Sequence, residues 1–401
     1  MRKGWEAKTL GDVLVKTETS DPTRLPQAEF DYIDVSSVSN ETLTIQETQR
    51  LKGGDAPSRA RRLVNANDVL FATIRPTLRR IAIVPDGLDG QICSTGYFVL
   101  RPQLQVDYRF IFYFLQTDDF MLKMEKLQKG ASYPAVTDGD VRAQEIPVPP
   151  LSEQHRIIGI LDEAFEGLVR ATANAEQNLR NARALFESHL QSVFSQRGKG
   201  WVDTTLGAEV NLLSGFPFKS AQYTDSEKDI CLLRGDNIVQ GLLRWDDVKR
   251  WPVCDTAGYE SYQLSAGDVV LAMDRPWVKA GLKRAQISSD DLPCLLVQRT
   301  ARLRGNGSLN NRFMLYLISS DAFSRHILGV QTGIGVPHIS GQQIKDFKFL
   351  KPPLEEQRHI VDELDELAAE TQRLESICQQ KLAALGELKK ALLHQAFSGN
   401  L

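Results

Sequence analysis

The sequence predicts an α+β protein in which two globular domains are each followed by one long helix. The two helices are expected to form an antiparallel coiled coil. Three observations carry that expectation. Residues 149–198 align with residues 352–401 at a constant offset of 203, without a gap. Sixteen of those fifty positions are identical, where average residue usage gives roughly three by chance, so the likeness is a duplication. The segments before them repeat as well: GWEAKTLGDV at 4–13 returns as GWVDTTLGAEV at 200–210, and ANDVLFATIRP at 66–76 as AGDVVLAMDRP at 266–276. Finally, the fifty-residue segments carry apolar residues at helical spacing, whereas the rest alternates short apolar runs with turn residues. The expected boundaries are 1–148 and 199–351 for the domains, and 149–198 and 352–401 for the helices. The offset drifts from 196 through 200 to 203, which places the insertions inside the domains.

Within the domains, the runs 30–35, 69–74, 79–84 and 97–100 read as strands bounded by Gly, Pro and Asp. Residues 109–127 and 312–328 read as amphipathic helices, and Asp107, Arg109, Phe110 and Tyr113 match Asn310, Arg312, Phe313 and Tyr316.

The long helices show a 4-3 apolar stripe. In the first it runs through Leu161, Phe165, Leu168, Thr172, Ala175, Leu179, Ala182, Phe186 and Val193, with His189 filling a step. In the second it runs through Leu364, Leu367, Thr371, Leu374, Cys378, Leu385, Leu388 and Leu392, broken once by Lys381. Pro149-Pro150 and Pro352-Pro353 force an extended approach, and Glu153, Glu355 and Glu356 favour the positive end of the helix dipole. Gly198 and Gly399 mark the stops. About 43 residues at ~1.5 Å each give a rod of roughly 65 Å, which cannot bury its stripe alone. The stripe is a spacer, and its Ala-rich stretch at 171–175 leaves shallow surface for another helix.

Composition narrows the function class. The 401 residues hold 42% hydrophobic and 25% charged side chains, ordinary for a folded chain of two to four domains. No run of about 18 apolar residues exists, so no membrane span is expected, and the N-terminus has no apolar signal segment. Five scattered cysteines without a CxxC pair read as buried thiols in a reducing cytoplasm. The net charge of −3 argues against a wholly basic protein but leaves room for a local basic face.

Such a face is expected in the loops. The first half carries Arg59, Arg61, Arg62, Arg75, Arg79 and Arg80; the second carries Arg244, Lys249, Arg250, Arg275, Lys279, Lys283 and Arg284. Arg75-Pro76 matches Arg275-Pro276, and Arg79 matches Lys279. Arginine contacts phosphate and can also bridge guanine O6 and N7. A second candidate is the loop before each Pro-Pro pair, KGASYPAVTDGDV at 129–141 and TGIGVPHISGQQI at 332–344. Lys129, Ser132, Tyr133 and His338 are its groups able to approach a duplex. A duplicated body suits a nearly two-fold partner, and double-stranded DNA is one.

Catalytic signatures are missing from the sequence. It has no GxxxxGK[ST] loop, no strand–GxGxxG–helix fingerprint and no HExxH, and its Pro-Pro pairs lack the preceding Asn or Asp of an adenine methyltransferase motif. A binding protein, without metal or catalytic residues, fits better than an enzyme. The competing reading is a coiled-coil scaffold that joins proteins without reading DNA.

PPLSEQHRIIGILDE and PPLEEQRHIVDELDE, the openings GWEAKTLGDV and GWVDTTLGAEV, and TGIGVPHISGQQI together resemble the specificity subunit of type I restriction-modification systems. The resemblance covers the whole chain. It implies two target-recognition domains, each reading one half of a split DNA target, and helices that space the halves and dock two methyltransferase subunits. Gln154, Ile157 and Leu161, with the matched Gln357, Ile360 and Leu364, are then the candidate docking positions. S-adenosylmethionine would belong to those partners, and ATP and Mg²⁺ to further restriction and translocation subunits; this chain would hold no cofactor.

Overall fold

A computed structural model describes residues 4–130, 132–333 and 335–401. The chain divides into two compact units: Met1–Gln177 with Cys378–Leu401, and Asn178–Ile377. Each unit therefore combines one globular domain with part of both long helices.

In the first unit, strand Glu6–Thr9 pairs antiparallel with Glu145–Val148, joining the start of the domain to its end. Thr9 and Asp12 close a capping box on the short helix that follows. Strand Val69–Ala72 lies between Ile81–Ile83 and Tyr97–Leu100, and all four of its residues are buried. A second sheet orders Gln49–Lys52, Glu29–Ile33, Ile92–Ser94 and Ala60–Leu63. The second unit repeats the scheme. Val202–Thr205 pairs with Lys348–Lys351, and Val269–Ala272 lies between Arg284–Gln286 and Thr300–Gly305.

The expected strand 97–100 is present with those bounds, whereas the other three end before their apolar runs do. Glu29–Ile33 stops because Asp34 caps a 3-10 turn, its carboxylate accepting from the Ser36 amide. The expected helix 109–127 is two helices, Tyr108–Phe114 and Asp118–Leu127. Thr117 separates them: its hydroxyl accepts from the Phe120 amide, and Asp118 and Asp119 occupy the new first turn. Ser320 does the same between Asn311–Leu317 and Asp321–Val330. Replacing Thr117 by alanine is expected to cost about 1 kcal/mol in a denaturant titration, the usual worth of a helix cap.

Both long helices are 45 residues, Leu151–Ser195 and Leu354–Ser398. Gly399 takes φ 81°, and the Asn400 amide reaches back to the Gln395 carbonyl at 2.9 Å, which closes the second helix with a Schellman-type turn. Each unit sets the opening of one helix against the close of the other. In the first, Ile157 and Leu161 share a core with Leu393 and Ala396. In the second, Leu190 packs with Leu364, and Arg183 pairs with Glu375 at 3.0 Å. The pairing is therefore antiparallel.

The seam of the second helix is shifted from the expected one. Leu374 and Leu388 are 40% and 48% exposed. The enclosed positions are Thr371, Glu375, Cys378, Leu382, Leu385, Lys389, Leu392 and Ala396, the same 4-3 rhythm one residue later at three steps. Two of those steps are filled by charged side chains whose stems are covered while their heads find partners: Glu375 meets Arg183, and the Lys389 ammonium sits 5.2 Å from the Phe165 ring centroid. Burial holds the Lys389 pKa below the usual lysine range, with nearby Arg79 adding to the effect. Among the cysteines, Cys93, Cys294 and Cys378 are buried as expected, Cys231 is half-buried and Cys254 is exposed. No described helix is long and apolar enough to cross a membrane.

Candidate nucleic-acid interface

The two loop motifs that the sequence offers separately meet in the structure. After strand Val69–Ala72 the chain turns at Arg75, which adopts φ 49° and ψ 58°, a left-handed conformation for a residue with a Cβ. Its backbone amide donates to the Pro134 carbonyl at 2.7 Å, and Ile74 bridges to Ala135. The second half repeats this with Arg275, φ 44°, donating to the Pro337 carbonyl at 2.7 Å, while Asp274 bridges to His338. Left-handed backbone at a non-glycine residue costs on the order of 1–2 kcal/mol. Strain of this kind persists where surrounding contacts fix it, and it clusters at functional sites.

The loops that supply Pro134 and Pro337 are small hairpins. Lys129 and Ala135 exchange both backbone hydrogen bonds at 2.9 Å, as Thr332 and His338 do at 2.8 and 2.7 Å. Each hairpin needs its glycine. Gly130 has φ 99° and Gly333 φ 98°, and a Cβ would stand 2.9 Å from the Tyr133 carbonyl or 2.4 Å from that of Val336. The tips project outward, with Tyr133 72% exposed and Val336 44%.

Each turn and hairpin border a cleft. In the first unit it holds about 650 Å³ and is lined by Asp34, Arg59, Leu78, Arg75, Arg80 and Tyr133. In the second it holds about 340 Å³, and Arg234, Asp274, Arg275, Lys283 and Arg299 line it with Val336. Burial lowers the Lys283 pKa first; Asp236 opposes the shift, and the positive charges of Arg275 and Arg244 add to it. An ammonium in that position gains from any anion placed in the cleft.

The expected basic residues divide into two groups. Arg59 and Arg75 share the first cleft, Arg275 and Lys283 the second, and none of these four has an ion-pair partner among the described residues. Tyr133 belongs to the first cleft, its ring centroid 5.4 Å from the Arg75 guanidinium. Lys129 and Ser132 are exposed on the same hairpin. Lys279 is exposed beside a two-residue strand pair, Trp277–Val278 with Gly281–Leu282, present only in the second unit among the described residues. Arg244 is exposed and meets Asp246 at 3.3 Å. The others are occupied inside the domain, which removes them from the clefts. Arg61 donates to the Ala60 carbonyl, Arg62 forks onto Asp138 at 2.8 and 3.1 Å, and Arg79 meets Asp118 at 2.7 Å. His338 turns its Nδ1 to Asp274, which also holds Arg299. Arg80, expected in the basic face, also lines the first cleft, whereas Arg234 and Arg299 escaped the sequence reading because a strand-end arginine shows its surroundings only in three dimensions.

The proposed docking positions require correction. Gln154, Ile157, Leu161, Gln357 and Leu364 are buried, and Ile360 is half-buried against the second core. Gln154 instead fastens its helix to the domain. Its Oε1 accepts from the Asp107 amide at 2.9 Å, and its Nε2 donates to the Gln105 and Pro149 carbonyls at 3.1 and 2.9 Å. Gln357 repeats the set with the Asn310 amide and the Ser308 and Pro352 carbonyls. A second fastener lies one turn or two further on. Asp162 accepts from Tyr113 and Arg109, and Asp365 from Tyr316 and Arg312. Burial first, then the carboxylate of Asp365, pushes the Tyr316 hydroxyl up to about 12.

Among the described residues, no group of three or more His, Cys, Asp or Glu side chains could hold a metal ion.

Known proteins are similar to this chain in sequence and fold. Residues 2–179 and 256–383 match the family described as type I restriction modification DNA specificity domain. The EcoAI specificity subunit of Escherichia coli is 35% identical over 201 residues, which is 50% of this chain but 34% of that one, about a third of its length. The MjaVIII specificity subunit of Methanocaldococcus jannaschii is 26% identical over 84% of this chain and 80% of its own. A chain solved in work on complex assembly and conformational transition of the type I R-M system has a TM-score of 0.87 and 28% identity, covering 100% of this chain and 99% of that one. The HsdS subunit from Thermoanaerobacter tengcongensis has a TM-score of 0.65 and 29% identity, covering 100% and 98%. With two matched segments that together span most of its length, the chain belongs to the type I restriction-modification DNA specificity family.

Proposed function

We propose that the chain is the non-catalytic subunit that reads DNA for a type I restriction-modification complex acting in the cytoplasm. Each domain reads one half of a bipartite duplex target through the cleft beside its Arg-Pro turn. The helix pair spaces the halves and docks two methyltransferase subunits on its outward faces. S-adenosylmethionine serves those subunits in modifying adenine, while ATP and Mg²⁺ serve restriction subunits that translocate and cut.

The observation that carries this reading is the duplicated latch. Arg75 and Arg275 are held in the same left-handed conformation by matched proline carbonyls, those of Pro134 and Pro337, each at the mouth of a cleft with unpaired cations. Unpaired cations there are the electrostatic requirement for phosphate and base contacts. The test is to reconstitute the complex with its methyltransferase subunits and map methylated adenines on genomic DNA. One bipartite sequence is expected with the chain present, and no such pattern without it. Methylation independent of the chain contradicts the reading.

A further inference from the structure

The two clefts are built alike but equipped differently, and the difference separates two modes of DNA contact. Backbone pairing fixes which positions correspond. The Ala72 amide bonds the Arg80 carbonyl as the Ala272 amide bonds that of Lys283, and Thr73 bonds Gly96 as Met273 bonds Arg299. Tyr133 in the first hairpin stands where Val336 stands in the second.

In the first cleft, Arg80 is already committed, donating to the Val35 and Val38 carbonyls at 2.7 and 3.3 Å. Asp34 accepts from the Ser36 and Tyr32 hydroxyls at 3.0 and 3.3 Å. Arg75 is different. Its guanidinium lies 5.4 Å from the centroid of the exposed Tyr133 ring and meets no acceptor among the described residues. A guanidinium laid against an aromatic face loses rotational freedom but keeps its in-plane N–H groups free. That is a braced, unoccupied fork, and its geometric complement in the major groove is the O6 and N7 pair of guanine. In the second cleft Tyr223 is part of the wall, but no ring lies over the Arg275 guanidinium among the described residues. Arg234 and Arg299 line the same walls but are held by Asp247 and Asp274, which leaves Arg275 and Lys283 as its cations without an ion pair among the described residues. Two free cations without an orienting ring suit phosphate, which accepts from many directions.

We infer that Arg75, braced by Tyr133, reads a guanine in the half-site of the first domain, and that its counterpart Arg275 grips backbone phosphate. The inference rests on the proposed function. Arg75 is a specificity-determining residue and Tyr133 a positioning residue.

The experiment uses the reconstituted complex of full-length chain and methyltransferase subunits. Each variant is measured by methylation of a randomised target library and by duplex binding across a salt series. R75A and R75K are both expected to lose the preference for one G·C pair in one half-site, leaving the other half-site and the salt slope unchanged. Lysine keeps the charge but not the fork, so its failure to rescue marks bidentate reading. Y133A is expected to relax the same pair, and Y133F, which keeps the ring, to restore it. R275A is expected to weaken all sequences alike, reduce the salt slope by about 1 and leave the target unchanged. Full base preference in R75A, an even loss across all sequences, or relaxation in both half-sites overturns the inference while the proposed function stands. A wild-type complex with no bipartite target overturns both.

Discussion

Removing Arg275 and Lys283 together is expected to lower affinity for duplex DNA by between one and two orders of magnitude near 0.1 M salt. Each phosphate neutralised contributes about 0.9 to the slope of log K against log salt, so two contacts are worth roughly 1.8 log units at 0.1 M. The slope itself should fall by about 2, and a binding titration at several salt concentrations reads both quantities. Folding should survive. Lys283 is a half-buried ammonium with no acceptor among the described residues, and burial already disfavours its charge. Alanine there removes a desolvated cation, and the nearby carboxylate of Asp236 is exposed to water. Arg275 is exposed, so its loss opens no cavity. An unchanged affinity and slope in a variant that unfolds like the parent would favour a scaffold that holds proteins and does not grip DNA.

Truncating Gln154 is expected to produce the largest loss of stability among the substitutions considered. Its amide satisfies three backbone groups at the point where the long helix leaves the domain, and the side chain is fully buried. Q154A strands the Asp107 amide and the Pro149 carbonyl, while the carbonyl of the exposed Gln105 can turn to water. Each buried group left unpaired costs on the order of 1–3 kcal/mol, so a loss of about 2–4 kcal/mol is expected. Q357A should do the same to the second unit, because its partners are matched one for one. Denaturant unfolding of the full chain measures both. A loss under about 1 kcal/mol would mean that water replaces the amide, and the glutamines would not be the fasteners described.

The duplication, the two long helices and their antiparallel sense were legible because they rest on long, periodic signals. A constant offset over fifty residues and a 4-3 stripe survive local noise. The exact seam was not. Thr371, Cys378 and Leu385 belong to both possible stripes, and of the three steps that differ the expected stripe holds two leucines, Leu374 and Leu388, against one, Leu382, in the observed seam. The structure seats Glu375 and Lys389 instead, because Arg183 and the Phe165 ring receive their heads. No sequence window contains those partners. The same reason divides the basic residues. Arg62 and Arg79 look as available as Arg59 and Arg75, but their carboxylates lie 76 and 39 residues away in the chain. The glutamines of the repeated PPLxEQ motif were visible as a repeat, yet their direction, inward to the backbone, depended on loops that close over them. What could be seen early was that the Arg-Pro turn and the hairpin before each helix both recur. That the turn is pinned to the hairpin by one proline carbonyl needed coordinates.

The central claim is that each domain reads its own half of the target. The most direct measurement exchanges residues 1–148 for the corresponding domain of a family member with a different target, then maps methylated adenines made by the reconstituted complex. One half of the recognised sequence should change to that of the donor, with the other half and the gap between them retained. A change in both halves, or in neither, would contradict the account.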